Sequence, residues 1–196
     1  PGEFVDEGFV EALRRRGVGA DVIVADAHLG YVIERSLFER LHEDIVRPAR
    51  ARGYQRVWLV GISLGGYAAL GYALRHPDEV DGVLALAPYL GTRKVLDEIG
   101  AAGGPRRWHA QTAASDADDA DRRLWHALAG GGLAVPIHLG YGRDDRFADA
   151  HRLLAGLLPA ERVSAVAGGH DWPAWRALWE GWLDRRLLAG HCNPAA

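Results

Sequence analysis

The sequence contains no methionine and only one cysteine among its 196 residues. The single cysteine, Cys192, has no partner for an internal disulfide, and its position in the tail indicates an incidental residue rather than a reactive one. Because the chain starts at Pro1-Gly2-Glu3 without a methionine anywhere, we expect that native N-terminal residues precede the given sequence.

The sequence also has no net positive charge and no long apolar segment. The formal net charge is -3, and the arginines are interleaved with acidic residues, which disfavours nucleic-acid binding because phosphate neutralisation needs clustered Lys and Arg. No apolar run approaches the roughly 20 residues that cross a bilayer, and the N-terminus resembles no secretion leader. We therefore expect a cytoplasmic protein without a nucleic-acid or membrane partner.

Strand-like and helix-like segments alternate along the chain, which predicts one α/β domain over residues 1–196. This alternation is typical of a mostly parallel sheet with helices on both faces. A first helix is predicted over residues 5–16, with Gly17 as its C-cap. The predicted strands are residues 21–26, 56–62, 82–87, 135–141 and 162–167.

Ser63 is the strongest candidate for a nucleophile. It stands in Gly-x-Ser-x-Gly, between a hydrophobic strand and an Ala/Leu-rich helix, where a sharp turn requires small residues at Gly61 and Gly65. The positive end of the following helix points at the serine, so the amide of Leu64 is a predicted oxyanion donor. The other serines lack this context: Ser36 is placed at a helix cap, Ser115 in an acidic loop and Ser164 within a strand.

A serine nucleophile needs a histidine base and a carboxylate that orients it. Asp144 and Asp145 follow the fourth predicted strand, and His170 follows the fifth after Gly168-Gly169. Adjacent side chains at a strand end point in opposite directions, so only one aspartate can face the histidine.

These motifs, taken in this order, resemble the α/β-hydrolase family of serine esterases and lipases over residues 22–187. The resemblance implies that Ser63 and His170 are catalytic. The family's G-x-x-D pattern, counted from Gly142, selects Asp145 as the acid, and Asp144 remains the alternative. It implies no cofactor and no metal. Such enzymes need a second oxyanion amide, which we expect at or before residues 1–4.

Three further residues are candidates for the substrate pocket. His28 follows the first predicted strand and belongs to the same rim as Ser63. Trp108 and Trp125 lie in residues 89–133, a long insertion where the family carries a cap; they either line a pocket or pack the cap onto the body. The spacing of Trp172, Trp175, Trp179 and Trp182 instead predicts the buried face of a last helix.

The sequence thus predicts a serine hydrolase that cleaves carboxylic esters of small molecules through an acyl-enzyme. Thioesterase, amidase or acyltransferase chemistry on the same triad remains an alternative, because pocket shape decides among them. A non-catalytic ligand-binding protein that keeps the fold is a second alternative. Its only support is that the given sequence lacks the loop expected to carry the second oxyanion amide.

Overall fold

The computed structural model describes residues 2–25, 36–112, 119–132 and 134–188. In these residues four strands form one parallel sheet in the order β1-β2-β3-β4, with β1 at Trp58–Ile62, β2 at Gly82–Leu86, β3 at Ile137–Gly142 and β4 at Val163–Val166. The register pairs Ile62 with Leu86, and Leu86 with Gly140. Because all four strands are parallel, their carboxyl ends lie along one edge.

The helices fill the connections between strands, as a parallel sheet requires. They are α1 Gly2–Asp6, α2 Phe9–Arg15, α3 Leu37–Leu41, α4 Arg47–Ala51, α5 Leu64–Arg75, α6 Arg93–Ala101, α7 Pro105–Gln111, α8 Ala120–Ala129, α9 Ala148–Ala155 and α10 Trp172–Asp184. A π-helical turn, His42–Val46, joins α3 to α4, and a 3-10 turn, Ala160–Arg162, precedes β4.

Two hydrophobic clusters cover the two faces of the sheet. On one face α5 packs with the helices of the insertion, and Leu70, Ala85 and Ile99 are fully buried there. On the other face α2 and α10 cover the sheet. The predicted tryptophan face of the last helix is confirmed for Trp175, Trp179 and Trp182, which are buried in this second cluster, whereas Trp172 is only partly buried against it.

Two of the predicted elements are wrong. Residues 21–25 form no strand: their backbone joins no ladder, and the Ile23 side chain is 60% exposed. Alternating apolar residues satisfy the pattern of a strand, but a strand exists only where a neighbour supplies hydrogen bonds. The predicted helix over residues 5–16 is two helices, because Gly8 adopts a left-handed φ of 78° between α1 and α2.

Within the insertion, residues 93–101, 105–111 and 120–129 are helical, so this segment carries secondary structure of its own. Leu124 and Leu128 of α8 and Val95 of α6 join the same cluster as α5. Across the described parts of the chain, no helix is long and apolar enough to cross a membrane.

Candidate active site

Ser63 occupies a sharp turn between β1 and α5. Its backbone angles are φ 52° and ψ -115°, a left-handed conformation that is strained for a residue with a side chain. The turn is held on both sides, since the Ser63 amide donates to the Leu86 carbonyl at 2.9 Å and its own carbonyl accepts from Tyr89 at 2.8 Å. This geometry is typical of the nucleophile position in Gly-x-Ser-x-Gly motifs.

The glycines around Ser63 do not have equal roles. A Cβ on Gly61 would lie 2.2 Å from the Gly65 carbonyl oxygen, and a Cβ on Gly66 would lie 2.8 Å from Pro88 Cβ. A Cβ on Gly65 would meet nothing within 4 Å. The prediction that the turn sterically requires glycine at both flanking positions is therefore confirmed for Gly61 and wrong for Gly65. The second position without room for a Cβ is Gly66.

His170 and Asp145 form a hydrogen-bonded pair at the same edge of the sheet as Ser63. His170 Nδ1 lies 2.8 Å from Asp145 Oδ2, and the side chain of Asp145 is fully buried. The second carboxylate oxygen accepts from the Phe147 amide at 2.8 Å, so both oxygens have partners. Asp144 is exposed instead and lies 3.4 Å from the Gly168 amide through its Oδ2.

Backbone hydrogen bonds join the two loops that carry this pair. The Arg143 amide donates to Val166 at 2.8 Å and the Asp144 amide donates to Gly168 at 3.0 Å. The loop after β3 therefore extends the pairing of β3 with β4 beyond the strands. This continued pairing brings Asp145, three residues after Gly142, next to His170.

Aromatic edges surround the imidazole of His170. The rings of Phe147 and Trp175 lie 5.2 Å and 5.0 Å from it, both nearly perpendicular to it. Its side chain stays 14% exposed, so one end of the ring reaches solvent while the other contacts the buried carboxylate. No hydrogen bond joins His170 to the Ser63 hydroxyl among the described residues; such bonds are often long in enzymes without substrate.

Comparison with known proteins shows the family of this chain. The Esterase family model, described as "Putative esterase", matches residues 31–181. The chain belongs to the Esterase family. Its membership supports ester hydrolysis, and the parallel sheet with its flanking helices is the α/β-hydrolase fold. A search of curated protein sequences returns no match.

Solved structures agree with this esterase fold. An esterase from Pyrococcus furiosus superposes with a TM-score of 0.58 at 17% identity, covering 94% of this chain and 76% of that one. A ferulic acid esterase superposes with a TM-score of 0.54 at 17% identity, covering 95% and 78%. At these identities the likeness establishes the shared fold.

The remaining predicted site residues lie in different surroundings. Leu64 opens α5, so its amide belongs to the first turn, where N–H groups have no acceptor within the helix. Trp108 and Trp125 are buried in the hydrophobic core, at 2% and 0% exposure, and Trp125 Nε1 donates to the Leu90 carbonyl at 2.7 Å. Their burial matches the packing alternative. His28 lies outside the described residues.

The N-terminal residues of the chain approach the sheet edge that carries His170 through aromatic contacts. Phe4 lies in α1, and its ring contacts Trp172 at 5.9 Å. Trp172 in turn contacts Trp175, the ring that lies against His170. These contacts place α1 beside the helix that follows His170. The placement of the second oxyanion amide at or before residues 1–4 stays a prediction.

His151 in α9 is a site neighbour that the sequence did not single out. It is fully buried, its Nε2 lies 3.0 Å from the Pro88 carbonyl oxygen, and its ring lies 5.3 Å from Tyr141. Burial lowers the pKa of His151 below its ordinary 6.5, although the charge of Asp145 and the Pro88 carbonyl oppose that shift. The only signal in the sequence is its position, six residues after Asp145 in the following helix.

Proposed function

We propose that this member of the Esterase family is a serine hydrolase that cleaves carboxylic esters of small molecules through Ser63, His170 and Asp145. The observation that carries the proposal is the hydrogen bond between His170 Nδ1 and the fully buried Asp145 carboxylate. This pair stands at the strand edge that also presents Ser63 in its strained turn.

The chemistry proceeds by acyl transfer. The hydrogen bond to Asp145 places the proton of the neutral imidazole on Nδ1, which leaves Nε2 as the base. Nε2 takes the proton of the Ser63 hydroxyl as Oγ attacks the ester carbonyl, and Asp145 stabilises the imidazolium that forms. His170 then gives this proton to the leaving alcohol, which releases the alcohol and leaves an acyl group on Ser63.

Water completes the cycle by the same route in reverse. Nε2 of His170 removes a proton from a water molecule, the resulting hydroxide adds to the acyl carbonyl, and the proton returns to Ser63 Oγ as the acid departs. In both halves negative charge develops on the carbonyl oxygen, and the Leu64 amide at the positive end of α5 is placed to stabilise it. No step requires a cofactor.

Labelling with a fluorophosphonate probe tests the proposal directly, because the probe reacts with a serine only where a base activates it. We expect one adduct per chain, located on Ser63 by peptide mass spectrometry, and its loss in Ser63→Ala. Ser164→Ala is the matched control. The Ser164 hydroxyl lies within hydrogen-bond distance of Trp182 Nε1 and Arg185, and removing it leaves the turn intact.

Two outcomes would contradict the proposal. An adduct at Ser164 instead of Ser63 would assign the nucleophile to another residue, and no adduct at any serine of the folded protein would favour the non-catalytic ligand-binding alternative. Labelling of Ser63 without turnover of p-nitrophenyl esters of any chain length would exclude ester hydrolysis as the reaction. A preference among acyl lengths in that same series would define the acid part of the substrate.

A further inference from the structure

A cluster of two histidines and one glutamate lies at the end of α5 that is remote from Ser63. His76 is the C-cap of α5, Glu79 follows in the loop before β2, and His42 opens the π-helical turn. Ser63 precedes the first residue of this 12-residue helix. At 1.5 Å per residue the cluster is about 18 Å from the nucleophile, so it is separate from the catalytic edge.

The side chains of this cluster direct their polar atoms toward one another. His42 Nδ1 lies 2.9 Å from Glu79 Oε2, and His76 Nδ1 lies 3.9 Å from the same oxygen. The two imidazoles are stacked, with centroids 4.8 Å apart and planes inclined by only 14°. One donor atom from each of the three residues lies within 4.8 Å of the others.

This spacing suits a tetrahedral metal ion. Zn²⁺ bonds to imidazole nitrogen at about 2.0–2.1 Å and to carboxylate oxygen at about 2.0–2.2 Å, so neighbouring ligand atoms stand about 3.3 Å apart. The two separations from Glu79 Oε2, 2.9 Å to His42 and 3.9 Å to His76, lie on either side of that value. The third separation, between the two imidazole nitrogens, is within 4.8 Å, so the stacked rings must turn toward each other when an ion binds. Two nitrogen ligands favour zinc over calcium or magnesium, which prefer oxygen.

Surrounding groups hold the three side chains in place. The Tyr72 hydroxyl donates to Glu79 Oε2 at 2.6 Å, which orients the carboxylate as outer hydrogen bonds orient metal ligands. His42 Nε2, the ring nitrogen that does not face the cluster, lies 3.7 Å from Glu43 Oε1. The side chains of His42, His76 and Glu79 are 22%, 30% and 33% exposed, so an ion can enter from solvent.

We propose that His42, His76 and Glu79 form a binding site for one Zn²⁺ ion, with a water molecule completing the tetrahedron. The bound ion joins two segments that are separate in sequence: the π-helical turn, and the stretch that runs from the end of α5 into the loop before β2. Its role is structural, because it lies far from Ser63.

Calorimetric titration of the full chain with ZnCl2 tests the site. The protein carries no polyhistidine tag, is freed of metal with a chelator and contains Cys192→Ser, which removes the one thiolate that could compete. We expect one equivalent of Zn²⁺ to bind and the melting temperature to rise with it. His76→Gln and Glu79→Gln are each expected to weaken binding at least tenfold.

Two matched variants test whether His170 or the pair of His109 and His126 binds the ion instead. His170→Ala removes the imidazole of the catalytic edge, and His109→Gln breaks the pair in which the Nδ1 atoms of His109 and His126 lie 2.9 Å apart. Both are expected to bind Zn²⁺ as the parent does. Loss of binding in either one, undiminished binding in His76→Gln, or no binding by the parent overturns the proposal.

Cobalt(II) provides a readout that does not depend on the stability of the variants. Tetrahedral Co²⁺ absorbs far more strongly in the visible than octahedral Co²⁺, so the parent is expected to turn blue on addition of one equivalent. Each variant is first compared with the parent by melting without metal. A folded His76→Gln that still gives the parent's tetrahedral spectrum contradicts the assignment.

Discussion

Gly142 at the end of β3 lies directly against Gly168 in the loop after β4. A Cβ on Gly142 would stand 2.2 Å from the Gly168 carbonyl oxygen and 2.5 Å from that of Gly169. Gly168 itself has a φ of 115°, which a side chain would oppose. This close approach of two backbones brings the carboxylate of Asp145 and the ring of His170 within hydrogen-bond distance.

Gly142→Ala is therefore expected to separate the two loops. The methyl group would meet backbone atoms that cannot rotate away, so we expect a loss of about 2–3 kcal/mol in the free energy of unfolding and a lower rate of ester hydrolysis. Gly156→Ala is the control, since its Cβ would meet only ordinary contacts of 3.5 Å and longer. Thermal melting and p-nitrophenyl ester turnover measure both effects; equal melting temperatures for the two variants would contradict the packing argument.

The choice between the two aspartates predicts different kinetics for two isosteric changes. Asp145→Asn removes the charge that orients and stabilises the His170 imidazole, so we expect kcat to fall on the order of 10³- to 10⁴-fold. Asp144→Asn leaves that carboxylate in place, and its side chain is exposed, so kcat should stay near the parent's. Steady-state kinetics of both variants decide the matter, and a larger loss in Asp144→Asn would reverse the assignment.

The glycines of the turn around Ser63 predict a second contrast. Gly61→Ala places a Cβ against the Gly65 carbonyl and shifts Ser63, for which a loss on the order of 100-fold in labelling rate is expected. Gly65→Ala adds a methyl group in open space and should label close to the parent's rate. Fluorophosphonate labelling over time compares them; similar rates in the two variants would show that the turn tolerates crowding at Gly61.

His151 predicts how stability depends on pH. The pKa of His151 in the folded protein lies below 6.5, its ordinary value in the unfolded chain. At a pH between these two pKa values, the unfolded chain binds a proton that the folded chain does not. The contribution of the neutral His151 to the free energy of unfolding is thus fully present above about pH 6.5. It is lost as the pH falls, and the free energy of unfolding then decreases by up to about 1.4 kcal/mol per pH unit.

Urea unfolding at several pH values between 7.5 and 5 measures this slope. His151→Gln keeps an N–H donor for the Pro88 carbonyl but has no titrating group, so its free energy of unfolding is expected to change less steeply with pH. Only the slopes are compared, because the substitution also alters packing. Parallel curves for the parent and the variant would assign the acid sensitivity to other groups.

The sequence by itself determined the elements whose signals are local. Gly-x-Ser-x-Gly between a strand and a helix locates the turn at Ser63, because the crowding that demands glycine acts within a few residues. The tryptophans of the last helix likewise reveal its buried face, since a helical period is a local property. The order of serine, aspartate and histidine is the one that the resemblance to the α/β-hydrolase family implies.

Tertiary structure decided the points that depend on distant partners. Residues 21–25 have the pattern of a strand but lie outside the ladder, and Gly65 lies in open space although Gly61 does not. Burial of Trp108 and Trp125, and the meeting of His42 with His76 and Glu79, depend on how separate helices pack. Such contacts join residues far apart in the chain, and no periodicity or motif encodes them.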